Sequence, residues 1–68
     1  MHLAQRVNDY ITKRRPDKLC DACIARTLEI RHQQANRVTM ALETTSDFMR
    51  QIDRCHDCNK DQKVIRRS

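Results

Sequence analysis

The sequence predicts a small α+β domain, mostly helical, occupying residues 1–68. Three helices with a helix-turn-helix core are followed by a C-terminal two-stranded hairpin, and one four-cysteine zinc site joins them. Three observations carry this expectation. The only cysteines form two C-x-x-C pairs, Cys20/Cys23 and Cys55/Cys58, separated by residues 24–54. Apolar residues recur at helical spacing through the first two thirds of the chain. Beyond residue 47 the apolar period shortens to two, as in strands.

The first helix is expected over 2–14. Leu3, Val7, Tyr10 and Ile11 fall on one face, and Gln5, Asn8, Asp9 and Lys13 lie elsewhere. The cations Lys13-Arg14-Arg15 suit a helix C-terminus, and Pro16 disfavours the α conformation at Arg15. A short connection leads to Leu19 and the first cysteine pair. Asp21 is the expected N-cap of a short helix over 22–28, with Ile24 and Leu28 facing the core. The apolar phase shifts around Leu28-Glu29-Ile30, which predicts a turn, although no helix breaker stands there. One continuous helix over 22–44 is the alternative. The longer third helix, about 31 to 44, takes its inner stripe from Ala35, Val38 and Leu42, with Thr39 and Thr45 on the flanks. Residues 43–47 are polar and read as a loop. Segments 48–54 and 62–67 read as the two hairpin strands, with residues 55–60 at the tip.

Two residues between cysteines let one tight turn present both sulfurs to a single ion, and two such turns complete a tetrahedral shell. A closed four-thiolate shell has no position for water or substrate, so one structural zinc is expected. Cys20 and Cys23 sit at a helix start, which favours thiolates. Cys55-His56-Asp57-Cys58 looks like a zinc knuckle. The position after its second cysteine needs a left-handed backbone, and Asn59 stands there in a chain with no glycine. Disulfides and a redox pair are the competing uses of the cysteines, and His56 or His32 are the candidate replacements for one ligand. Asp21 and Asp57, each inside a C-x-x-C, are expected to cap turns rather than bind metal.

Composition explains why a staple is needed. Aromatic residues are 3% of the 68 and hydrophobic residues 38%. A chain this short buries only about 60% of the surface its unfolded form exposes, whereas a structural zinc contributes roughly 10–16 kcal/mol of apparent free energy coupled to folding. The N-terminal MHLAQRVNDY is polar and amphipathic, unlike a signal peptide, and no stretch is apolar enough to span a membrane. A cytoplasmic setting with reduced thiols is therefore expected. No phosphate loop, metalloprotease helix or nucleophile elbow occurs, so no enzymatic activity is expected.

The formal net charge of +5 favours a polyanionic partner. On the third helix Gln33, Asn36, Arg37, Met40 and Thr44 project away from the inner stripe. Arg, Gln and Asn can make paired hydrogen bonds to base edges. Arg31, His32 and Gln34 flank the helix start, the end usually presented to bases. No acidic residue occurs between Glu29 and Glu43. The competing function is a zinc-built module that docks on another protein through its first helix or hairpin. The chain is expected to be a monomer or a homodimer, with the first helix the best candidate interface.

The succession L-C-D-A-C-I-A (19–25), R-H-Q-Q-A-N-R-V (31–38) and F-M-R-Q-I-D-R-C-H-D-C-N-K (48–60) resembles a small bacterial winged helix-turn-helix domain carrying a zinc site. The resemblance spans nearly the whole chain, and its specific parts are the cysteine pairs. It implies binding to duplex DNA and a role in transcription regulation, with the longer helix in the groove and the hairpin as wing. Arg31, Gln33, Gln34, Asn36 and Arg37 would face the groove, and Lys60, Lys63, Arg66 and Arg67 would contact phosphate. Two features depart from the pattern. The wing tip is taken by the cysteine turn, and Glu29 stands near the corner where glycine is usual.

Overall fold

The stripe Leu3, Val7, Tyr10 and Ile11 winds into α1, Leu3–Lys13, in a computed structural model that describes residues 3–68. The expected start at residue 2 lies outside the described residues. Val7 and Ile11 are fully buried, and Leu3 and Tyr10 pack at the rim of the core. Residues 14–16 turn the chain away from the helix axis.

Leu19–Cys20 form a short strand, β1, and the chain turns directly into α2, Asp21–Leu28. The cap of α2 differs from expectation. Cys20 is the N-cap, and its sulfur accepts the Cys23 N–H at 3.4 Å. Asp21 is the first helical residue and is buried. A thiolate or thiol sulfur thus takes the place that a carboxylate was expected to fill.

The predicted turn after α2 is present, and its bonding explains how a chain without glycine makes it. Glu29 adopts φ 57°, ψ 46°, a left-handed conformation. Glu29 N–H bonds to Arg26 O, and Ile30 N–H reaches back to Ala25 O at 2.9 Å. This paired closure satisfies carbonyls that the helix end would otherwise orphan. Ile30 packs on the core, supplying the apolar contact that accompanies such closures. The chain then enters α3, His32–Leu42, two residues shorter at its C-terminus than predicted. Thr44 and Thr45 lie beyond it, each hydroxyl donating to the carbonyl three residues back.

The C-terminal part is not a two-stranded hairpin. β2, Phe48–Arg54, pairs antiparallel with β3, Asp61–Arg67, and β1 adds to the other side of β3, giving the order β1-β3-β2. Leu19 sits opposite Ile65, and Cys20 opposite Val64. Two residues are too few to show a period of two, so the sequence left them in a connection.

This pairing makes β3 the centre of the molecule. Successive side chains on a strand point to opposite faces. Ile65 therefore joins the helices in a core with Val7, Ile11, Leu19, Ile24, Ala35, Val38 and Phe48. Val64, on the other face, packs with Cys20, Cys23 and Cys55. Each large apolar side chain buried this way contributes about 1.5–3 kcal/mol, and there are few of them.

A buried polar cluster ties α2, α3 and β2 together. Asp21 accepts hydrogen bonds from Asn36 Nδ2 and Thr39 Oγ1, both at 2.8 Å, and from the Arg50 guanidinium at 3.0 Å. The Asp21 and Arg50 side chains are only 9% and 6% exposed. Arg50 also reaches Glu43 at 3.2 Å, where the carboxylate is 34% exposed. Removing one partner of a buried ion pair strands the other charge and costs about 3–5 kcal/mol; an exposed pair is worth about 1 kcal/mol or less.

Two outcomes are expected from urea unfolding at fixed metal concentration. Asp21→Asn should destabilise the fold by about 3 kcal/mol or more, and Glu43→Gln by less than about 1 kcal/mol. Equal effects would show that Asp21 is not the hub. Glu29→Gly should stabilise by about 1 kcal/mol, because glycine carries no Cβ penalty in the left-handed region. A loss of stability would contradict the turn geometry.

Candidate metal centre

Two turns built in different ways deliver the four sulfurs. The first is the β1–α2 junction, where Cys20 ends the strand and Cys23 lies in the first helical turn. The second is the tight turn between β2 and β3. There Asn59 N–H bonds to Cys55 O at 2.9 Å and Cys55 N–H to Lys60 O at 3.1 Å. Asn59 has φ 59°, the left-handed conformation predicted for it. Its short polar side chain tolerates that region better than other non-glycine residues.

The four Sγ atoms all lie within 4.8 Å of one another, and Cys20, Cys23 and Cys55 are buried. Two of the separations cross between the turns: Cys20 to Cys58 at 3.8 Å and Cys23 to Cys55 at 3.6 Å. A tetrahedron of sulfurs about 2.3 Å from a central ion has edges of about 3.8 Å. The donor set therefore fits one ion held by four thiolates. All four cysteines are free thiols.

Backbone amides and one side chain point at the sulfurs. Cys20 N–H donates to Cys55 Sγ at 3.4 Å, and Gln62 Nε2 to Cys58 Sγ at 3.3 Å. These donors divide the thiols by acidity. Burial raises the Cys55 pKa, but the N–H groups of Cys58, Cys20 and Asp57 outweigh it and bring the thiol down to about 7. Burial dominates at Cys20 and Cys23 and holds both thiols above the ordinary value.

Neither candidate histidine joins the cluster. His56 Nδ1 accepts Lys18 N–H at 2.7 Å, and His56 N–H donates to Lys18 O at 2.8 Å. Ring nitrogen and backbone N–H of His56 together thus clamp the cysteine turn to the residue before β1. His32 lies on α3 beside Gln33, Asn36 and Arg37. Asp57 does not cap its turn through its carboxylate. It pairs with Arg14 at 2.7 Å, tying the C-terminal end of α1 to the same turn. That contact, with Asp17 beside it, pushes the Arg14 pKa up. On the other side Lys18 pairs with Asp53 at 2.8 Å and holds its carboxyl below the usual range.

Comparison with protein-family models, with curated proteins and with solved structures finds no match.

The residues singled out for nucleic acid fall into two groups. Arg31, Gln33 and Arg37 are exposed and enter no ion pair among the described residues. Together with His32 and Asn36, Gln33 and Arg37 line an open hollow of ≈ 400 Å³ on α3. The others on α3 have structural partners: Gln34 Oε1 accepts Arg31 N–H at 3.0 Å, and Asn36 is bound to Asp21. On the sheet side Lys60 and Lys63 are exposed. Arg66 contacts Met49 Sδ, while Arg67 lies over the Phe48 ring and near Asp47. The roles of Asp21, Arg14 and His56 were missed. The only sequence signal for the first was an aspartate inside a C-x-x-C that nothing in the turn required.

Metal binding must displace the protons that burial holds on Cys20 and Cys23. Their raised pKa values favour the neutral form, so affinity rises with pH. Between about pH 6 and 8 it should change by about a hundredfold or more per unit, one proton from each thiol. The dependence should steepen below about pH 7, where Cys55 is also protonated. Competition with a chelator across that range measures it, and a pH-independent affinity would contradict the site.

Proposed function

We propose that the chain is a zinc-stabilised domain that binds nucleic acid, duplex DNA in the first place, through the outer face of α3. Four thiolates in a tetrahedron suit zinc, and mononuclear iron is the other metal with that preference. The closed shell supports a structural rather than a catalytic ion. In this account α2 and α3 act as a helix-turn-helix, consistent with the tight left-handed turn between them, and β2–β3 act as the wing. A regulator of transcription is the role such a surface would serve.

The observation that carries the proposal is the free cationic and amide face of α3. Gln33 and Arg37 border an open hollow, no acidic residue lies within α3, and Arg31 stands at its N-terminus. Asn36 adds a constraint. Its amide is spent on Asp21, so Gln33 and Arg37 are the side chains left to read base edges, while Arg31, Lys60 and Lys63 supply phosphate contacts. No helix among the described residues is long and apolar enough to cross a membrane.

Fluorescence anisotropy with duplex DNA at graded salt tests this. Contacts to about four phosphates predict that log affinity falls with log salt at a slope of about −3.6. Arg37→Ala should weaken binding by about 1–3 kcal/mol and leave the fold unchanged. Absence of duplex binding at low salt would overturn the nucleic-acid proposal. Metal analysis that returns iron rather than zinc would overturn the metal assignment alone.

A further inference from the structure

The four cysteines are unequally sheltered. Cys20, Cys23 and Cys55 are buried, whereas Cys58 is half-buried and the most open of the cluster to solvent. The polar contacts of Cys58 Sγ are Cys20 Sγ at 3.8 Å, which comes from the other turn, and Gln62 Nε2 at 3.3 Å. Cys55, the second cysteine of the same turn, is engaged elsewhere. Its sulfur takes the N–H groups of Cys58, Cys20 and Asp57 and meets Cys23 Sγ at 3.6 Å. Oxidation of a cysteine follows thiolate character and exposure, and it is reversible where a second sulfur stands close enough to resolve the first product. Cys58 combines the exposure with the neighbouring sulfur.

We propose that Cys58 is an oxidation site for peroxides, resolved by Cys20 to a disulfide between the two cysteine turns, and that forming this disulfide expels the bound ion. The Cys58 thiolate attacks one oxygen of the peroxide. An S–O bond forms, the O–O bond breaks, and the leaving hydroxide takes a proton to become water. Cys20 thiolate then attacks the Cys58 sulfur. The S–S bond forms, the S–O bond breaks, and a second hydroxide leaves and is protonated. Two thiolates, one hydrogen peroxide and two protons thus give one disulfide and two waters. The product removes two of the four sulfurs that a tetrahedral shell requires, so oxidation and metal occupancy exclude each other. Gln62 restrains the first step, because its N–H group occupies a lone pair of the sulfur that must attack. A dithiol reductant restores both thiols. The proposal rests on the four-thiolate reading of the site, and on neither the metal's identity nor nucleic acid.

The test treats the zinc-loaded chain with hydrogen peroxide. A chromogenic indicator follows released zinc, and isotope-coded alkylation with peptide mass spectrometry locates the oxidised sulfurs. The first disulfide should join Cys58 to Cys20, with zinc released in step with it. Dithiothreitol and added zinc should restore the starting chain. Cys58→His keeps a fourth ligand but cannot form the disulfide, so it should hold its zinc at a peroxide dose that strips the unmodified chain. Gln62→Ala should speed zinc release by about threefold or more, the worth of one lost hydrogen bond. If the histidine variant takes up no zinc, the mapped disulfide and the Gln62 variant decide. First oxidation at Cys23 or Cys55 would overturn the proposal. So would a first disulfide between Cys58 and Cys55, or a Cys20–Cys58 disulfide in a chain that keeps its zinc. A chain that binds no metal before peroxide is added would overturn the metal reading, and this proposal with it.

Discussion

Four sulfurs confined within 4.8 Å of one another impose the constraint on which the other contacts depend. Thiolates at that separation repel, and burial penalises each charge further. Without an ion, burial favours the protonated form of Cys20 and Cys23, whose thiols are raised above the ordinary value. A divalent cation reverses this balance by turning four mutually repelling groups into ligands. Because the sulfurs come from turns far apart in sequence, closing the shell also closes the chain between residues 20 and 55.

That closure organises the fold through β3. Val64 carries the sulfur cluster on one face and Ile65 the helical core on the other. Neither cluster alone is large, and adjacent residues of one strand make each depend on the other. Around the cysteine turns, shorter ties fix direction. His56 grips Lys18, Asp57 grips Arg14, and Asp21 carries the position of the first turn into α3 and β2. Asp21 follows Cys20 directly, so the orientation of α3 is set one residue from a ligand. This is the physical route by which metal binding would order a surface on α3.

Much of this was legible, and particular residues show why. The cysteine pairs and the Asn59 conformation follow from the chemistry of a tight turn, which is local and readable from spacing. Helical stripes such as Leu3/Val7/Ile11 are readable because burial repeats with the helix. What escaped depends on contacts distant in sequence. β1 has no internal pattern, and only pairing with Ile65 and Val64 defines it. Asp21 reads as an N-cap from its neighbours, yet partners on α3 and β2 claim its carboxylate. Asn36 reads as a surface amide for the same reason. Glu29 marks a different gap: its side chain gives no sign that Ile30 and Ala25 close the turn around it.

The central claim is that metal coordination and folding are one event, and backbone amide dispersion on metal removal tests it most directly. With one ion bound per chain, the amide spectrum should be that of a folded domain. A chelator should collapse it toward random-coil values, and restored metal should recover it. A metal-free chain that keeps the same dispersed spectrum would contradict the account.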